Sequence, residues 1–326
     1  MSAIDEDDVI AEFFAPLAAE GADGLMDDAA TFHGGEGDVV ITADALASGV
    51  HFLPDDPPGT IAKKALRVNL SDLVAKGAEP FGYLLALALP RNTERGWVAE
   101  FAAGLAEDQA RYGIALLGGD TLRASPDGGV TLSVTAMGRI PDGAVVRRRT
   151  AKVGDWLVLT GTIGDGALGL LARSGRPELA SLDASERAAL SERYLVPEPP
   201  VAAWSAVRTH ARAAMDISDG LLSDLAKLCR AAGVGARVDI ERVPFSASVR
   251  AAIRSAPTLR DVALTGGDDY QILAAVDPLK FAAFQRDLVK CGVAASQIGS
   301  LTAGSDVALL ERGHPVTLGN NQFVHF

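Results

Sequence analysis

The chain has 326 residues, enough for two domains of ordinary size, and 48% of them are hydrophobic, so real cores can form. A net charge of −12 excludes the basic face that a nucleic-acid binder needs, although bound metal ions can bring a polyanion onto an acidic surface. The acidic start MSAIDEDDVIAEFF is unlike a signal peptide, the longest apolar run (83–90) is too short for a bilayer, and Cys229 and Cys291 have no metal-ligand spacing, so a soluble cytoplasmic protein with two reduced cysteines is expected.

Residues 6–19 place Val9, Ile10, Phe13, Phe14 and Leu17 at helical spacing. A glycine-rich loop with Asp27 and Asp28 follows. Residues 39–43 read as a strand that ends at Asp44, with His51 seven residues on, past Gly49. Alone, that stretch is equally an edge strand with a solvated acid and a packed imidazole. Residues 60–77 read as a helix closed by Gly77. Ala65, Asn69 and Asp72 fall on or near one face of it, beside Leu66 and Leu73. Asp72 is therefore partly buried and needs a Lys, an Arg or a metal as partner.

FGYLLALALP (81–90) has no polar alternation and reads as a strand buried on both faces or lying at a dimer seam. A helix at 94–112 leads to GIALLGGDT (113–121), a short strand ending in Gly-Gly-Asp, and then to a long strand at 130–140. The basic cluster 147–149 precedes a fresh strand in AKVGDWLVLTG (151–161). The expected division is thus 1–150 and 151–326. In the second part a Gly-rich turn, TGTIGDG, opens a helix, and 184–194 and 200–209 are helical. ARAAMD is a strand ending in Asp216, with Asp219 placed to cap the next helix. Residues 261–276 read as strand, Gly-Gly-Asp-Asp, strand, and the tail as weak strands and turns.

The P-loop, the dinucleotide fingerprint, zinc motifs and the nucleophile elbow are all absent. What recurs is a carboxylate after an apolar run or a Gly-Gly pair: Asp27, Asp44, Asp72, Asp120, Asp216, Asp219 and Asp268. Each one singly is explained as a cap or turn residue. Together they form an oxygen-only set, which suits Mg²⁺ rather than zinc. Converging carboxylates repel unless cations lie between them, and glycine lets a phosphate approach backbone N–H groups. The residues themselves point to Mg²⁺-dependent phosphate chemistry.

TADALASGVHF, NLSD (69–72), LLGGDT (116–121), MDISDG (215–220) and TGGDDY (265–270) resemble, in order and spacing, the thiamine-monophosphate kinase family. The resemblance runs from about Phe14 to Phe326. It implies an α/β (α+β type) fold shared with aminoimidazole ribonucleotide synthetase: an N-terminal ATP/Mg-binding and dimerisation domain whose mixed sheet forms a barrel across a homodimer, and a C-terminal α/β domain completing the site. It implies transfer of the γ-phosphoryl group of ATP to thiamine monophosphate. By the same resemblance Asp27, Asp44, Asp72, Asp120, Asp216 and Asp219 are Mg²⁺ ligands, with Thr42 and Ala43 where a Ser-Thr pair helps bind metal. Gly119, Asp120, Arg148 and Ser218 would contact ATP, and His51, Asp268 and Phe323 the substrate.

The chain departs from the family pattern at several points. Met26 stands in place of Gly, Ala43 lacks a hydroxyl, Asp268 and Gln271 replace Glu, and Phe323 replaces a Tyr or Trp. Direct transfer needs no dedicated base, because the attacking phosphate oxygen is already anionic. Asp120 and Arg148 would act electrostatically, and Arg147 or Arg149 are alternatives to Arg148. The rival readings are a ring-closing synthetase of purine synthesis with the same fold and, from another class, a non-enzymatic acidic metal-binding module.

Overall fold

The computed structural model describes residues 10–18, 35–125 and 128–318. Asp27, expected as a metal ligand, and Phe323, expected against the substrate, lie outside the described residues. The chain forms two compact units, 1–73 with 79–143 and 74–78 with 144–326. The short segment 74–78 counts with the second unit for a simple reason. The Lys76 carbonyl accepts from Val146 N at 3.1 Å, and Lys76 Nζ donates to the Ala214 carbonyl at 3.0 Å.

The first unit is a four-stranded sheet of β1 (Asp38–Ala47), β2 (Glu79–Leu89), β3 (Ala115–Arg123) and β4 (Thr131–Ile140), ordered β1-β4-β2-β3. Helix α1 (Pro58–Ala75) precedes β2, and α2 (Arg95–Tyr112) makes the crossover that the parallel β2–β3 pairing requires. The register puts Thr42, Asp44 and Leu46 on one sheet face with Val134, Leu132, Leu85 and Leu87. The other face carries Ile41, Ala43, Ala45, Leu84 and Ala86, and it is left uncovered, with Ile41 64% and Leu84 39% exposed. β2 is thus buried on one face only, although its sequence shows no polar alternation.

Two strands run further than expected. β1 continues past Asp44 because its pairing with β4 holds through Ala47↔Thr131, and the alanines at 43, 45 and 47 offer no turn. Asp44 is therefore inside a strand rather than at its end. Gly-Gly-Asp is likewise inside β3, whose pairing with β2 runs to Arg123. Gly119 is required there by close approach, since a Cβ would lie 1.8 Å from the Leu85 carbonyl oxygen.

Helices α1 and α2 are locked by a buried, two-pronged ion pair. Arg67 Nε and Nη2 reach the two Asp108 oxygens, each at 2.7 Å.

The second unit is a seven-stranded mixed sheet of β5 (Trp156–Thr160), β6 (Ala211–Asp216), β7 (Gly235–Asp239), β8 (Ile272–Val276), β9 (Ala295–Thr302), β10 (Val307–Glu311) and β11 (His314–Val316), ordered β11-β10-β7-β9-β5-β8-β6. Its helices are α3 (Asp165–Arg173), α4 (Ala184–Leu195), α5 (Trp204–His210), α6 (Leu221–Ala232), α7 (Ala247–Ser255), α8 (Leu259–Thr265) and α9 (Phe281–Lys290). The main core joins Leu157, Leu159, Met215, Leu225, Val238 and Leu273.

The expected strand at 261–265 is instead α8, because Leu259, Ala263 and Leu264 are buried at helical spacing. The tail holds the unexpected helix α9, whose buried Phe284 and Leu288 repeat at i, i+4. With seven and ten residues, α8 and α9 make too few turns for either period to stand out.

Removing Asp108 takes the partner carboxylate from a buried guanidinium. Asp108→Ala should cost about 3–5 kcal/mol in urea unfolding of the first unit. A loss below about 1 kcal/mol would show that the pair is not the lock between the helices.

Candidate functional site

In the first unit, one side chain and one backbone N–H of β1 meet two side chains of α1. Thr42 Oγ1 donates to Asp72 Oδ2 at 2.6 Å, and Asp44 N donates to Asn69 Oδ1 at 3.1 Å. The period of a strand (42, 44) matches one turn of a helix (69, 72), so both contacts form at once. Asn69 is fully buried and is steadied by its own Nδ2 donating to the Ala65 carbonyl at 3.0 Å. Burial first, and the Asp72 charge second, raise the Asp44 carboxyl to about 6. Two acids and a hydroxyl crowded on a partly covered face make an oxygen-only donor set whose charge is uncompensated by each other. That is the chemistry of a hard-cation site.

Ala43 lies on the opposite, uncovered face, so its missing hydroxyl takes nothing from the Thr42–Asp44–Asp72 group. Asp120 is also on that uncovered face, in register with Ala86 and through it with Ser133 and Ala45. The expected single gathering of acids is therefore not found within the unit. Among the described residues, no three His, Cys, Asp or Glu side chains converge closely enough to hold a metal ion. The alternation of the strand separates Asp120 from Asp44.

His51 sits in the tight loop after β1. His51 N donates to the Ala47 carbonyl at 3.0 Å, and Ala47 N donates back to His51 Nδ1 at 3.1 Å. With Nδ1 an acceptor, the neutral ring carries its proton on Nε2.

In the second unit the motifs MDISDG and TGGDDY, far apart in sequence, are laced together. β6 ends at the buried Asp216, paired with Ile272 of β8. Beyond the strands, Ile217 N donates to the Gln271 carbonyl at 2.8 Å, Tyr270 N to Ile217 at 2.8 Å, and Asp268 N to Ser218 at 2.9 Å. This ladder holds Asp268 at φ +69 and Tyr270 at φ +51, left-handed conformations that Asp tolerates and Tyr resists. Tyr270 Oη then donates to Asp268 Oδ1 at 3.0 Å. Gly267 is needed where the loops touch, since a Cβ would lie 2.1 Å from the Ser218 carbonyl oxygen.

Asp269 is buried beneath this loop. It accepts from Gly164 N at 2.8 Å and Gly166 N at 3.1 Å, at the start of α3. Burial holds its carboxyl well above the usual range, against those two bonds and with the charges of Asp165 and Asp268 adding to the rise. The start of α6 is secured by a residue other than the expected one. Asp219 does not cap it. Asp224, wholly buried, accepts from Ser218 N at 3.0 Å and Asp219 N at 2.9 Å. Lys227 donates to both Asp219 and Asp224. Of the three arginines, Arg148 is the least exposed. It opens a single helical turn, Arg148–Thr150, which Thr150 Oγ1 ties to the Arg212 carbonyl of β6 at 2.6 Å.

Asp216, Ser218 and Asp219 thus offer oxygen donors on one ordered turn. Sequence reasoning missed Asp224, Lys227 and Asp269. Asp224 had a readable signal: it shares the stripe of Leu221, Leu225 and Leu228, so its carboxylate had to be buried and paired.

In the metal-free protein the Asp44 carboxyl should titrate near pH 6 by ¹³C NMR. Its folded value exceeds the unfolded one, so the proton is held by the native state, and this group's contribution to stability falls as pH rises towards about 6. Asp72→Asn should lower that midpoint without restoring the ordinary value, because burial is the larger cause. A midpoint unmoved by the substitution would rule out charge coupling between the two acids.

Two family models match the chain. Residues 26–140 match the N-terminal domain of AIR synthase related proteins, and residues 152–311 match the C-terminal domain. The thiamine-monophosphate kinase of Caulobacter vibrioides is 44% identical over 92% of this chain and 84% of its own length. That of Escherichia coli K12 is 37% identical over 98% and 97%. Among solved structures, the thiamine-monophosphate kinase of Stenotrophomonas maltophilia superposes with a TM-score of 0.79 at 37% identity, covering 87% of this chain and 89% of that one. AaThiL complexed with AMPPCP and TMP gives 0.77 at 28% identity, covering 91% and 89%. The hydrogenase maturation protein HypE of Escherichia coli, at 21% identity and TM-score 0.78 over 97% of both chains, shares the fold.

Proposed function

The chain belongs to the thiamine-monophosphate kinase family, and from that premise we propose how its own residues carry the reaction. The protein is an enzyme with the two-domain AIR synthase-like fold that phosphorylates thiamine monophosphate at the expense of ATP. The observation that carries the residue assignment is the Thr42–Asp72 and Asp44–Asn69 clasp, a charged oxygen group built at the cost of raising Asp44.

Asp44, Asp72 and Thr42 in the first unit, and Asp216 and Asp219 in the second, are the residues we assign to Mg²⁺, with Asp27 and Asp120. When bound, Mg²⁺ neutralises charge on the phosphates of ATP and on the phosphoryl group in flight. Gly119, whose missing Cβ lets β3 pass close to Leu85 of β2, would contact ATP through its backbone. Ser218 and Arg148 would hold the ATP phosphates, Arg148 from a turn anchored on β6. His51 would donate from Nε2 to the substrate. Asp268, aimed by Tyr270, and Phe323 would contact its rings. The incoming phosphate oxygen is already anionic, so these residues bind, orient and exclude water rather than remove a proton. An ATP-consuming reaction fits the cytoplasmic location expected from the sequence. Among the described residues, no helix is long and apolar enough to cross a membrane.

The uncovered face of the first unit gives Asp120 its place. Ile41, Ala43, Ala45, Leu84 and Ala86 make an exposed apolar sheet surface. A second copy of this chain would cover it and close the barrel, bringing Asp120 into the interior of a homodimer.

Purified protein with ATP, Mg²⁺ and thiamine monophosphate should yield thiamine diphosphate and ADP; folded protein that yields none would refute the reading. Asp120→Asn should lower kcat by at least about 100-fold, the scale of losing one charge-stabilising group. His51→Ala should raise KM for thiamine monophosphate by roughly 2- to 10-fold, the worth of one hydrogen bond. In sedimentation velocity the native chain should run as a dimer and Ile41→Glu as a monomer. A monomeric native chain would remove the homodimer.

A further inference from the structure

Lys227 is a cation already lodged beside a proposed metal ligand. It lies on α6, two turns beyond Asp219, and its ammonium donates to Asp219 and, at 2.7 Å, to Asp224. The two contacts differ in kind. Asp224 is wholly buried and spends its other oxygen on Ser218 N and Asp219 N, so it cannot move without undoing the turn. Burial pushes the Asp224 carboxyl up, and Lys227 is the largest influence pulling it back. The Asp219 side chain is 38% exposed and has room to turn away. The ammonium therefore has one fixed partner and one that it can release.

We propose that Lys227 is a positioning residue that holds the Asp219 carboxylate in the metal-free protein, competes with the divalent cation for it, and stays on Asp224 once Asp219 is taken. The inference rests on the reading of Asp219 as a metal ligand. A lysine serves this purpose better than an arginine would. Its charge is compact and its four-carbon stem can follow either carboxylate, whereas a guanidinium forks onto both. Lys227 would thus keep two neighbouring acids, Asp219 and Asp224, from repelling each other before substrate arrives, at the expense of some metal affinity.

The sign of one binding measurement separates this role from plain support of the fold. Mn²⁺ is titrated into the full-length protein without nucleotide, and free Mn²⁺ is read by electron paramagnetic resonance. In the native chain Asp219→Asn should weaken binding. Lys227→Met should tighten the Asp219-dependent binding by about two- to fivefold, the worth of a half-exposed ion pair. Asp219→Asn in the Lys227→Met background should abolish the gain. Lys227→Arg should bind no tighter than the native chain. Should Lys227→Met fail to fold, Lys227→Gln keeps a donor for Asp224 without the charge and should show the same gain. Unchanged or weaker binding in a folded neutral variant would overturn the proposal while leaving Asp219 as a ligand. Absence of any Asp219-dependent binding in the native chain would overturn both.

Discussion

The constraint on which the rest depends is the approach of two carboxylates, Asp44 and Asp72, on a partly covered sheet face. Burial first, and the repulsion of the like charge on Asp72 second, lift Asp44 to about 6. Such a pair is oxygen-only chemistry of the kind that suits a hard cation. The scaffold is stiff where it must be. Thr42 holds the Asp72 carboxylate against β1, Asn69 holds the Asp44 backbone against α1, and the Arg67–Asp108 pair fixes α1 against α2.

The second unit meets the same difficulty with different means. Asp269 is buried under backbone N–H groups at the start of α3, and Asp224 under those of Ser218 and Asp219. Both carboxyls are used to shape loops. That leaves Ser218 and Asp219 on a turn, with Asp268 on the loop laced to it and the buried Asp216 at the end of the strand that enters it. The left-handed backbone at Asp268 and Tyr270 is strain that this hydrogen-bond ladder supports. At position 268 the shorter acid suits that backbone, and the Tyr270 hydroxyl aims it.

Much of this was legible in the sequence. The helix at 60–77, the strand ending at Asp216 and the shared face of Asn69 and Asp72 follow from spacing alone, and the ordered set of acidic motifs points to the family. What escaped was set by partners distant in sequence. Nothing local says that β1 continues through Asp44 to Ala47, because the pairing with β4 decides it. The opposite placement of Asp120 follows from strand register, which a sequence read as strand-end acids does not contain. The seven residues of α8 make too few turns for a helical period to distinguish it from a strand. The capping role expected of Asp219 falls to the buried Asp224, from within the helix.

The claim that Asp44 and Asp72 hold a place for a cation is tested most directly by anomalous diffraction from crystals grown with Mn²⁺ and a non-hydrolysable ATP analogue. The predicted result is an anomalous peak in contact with oxygens of both Asp44 and Asp72. A well-ordered, nucleotide-bound structure with no peak there, and the two carboxylates still side by side, would contradict it.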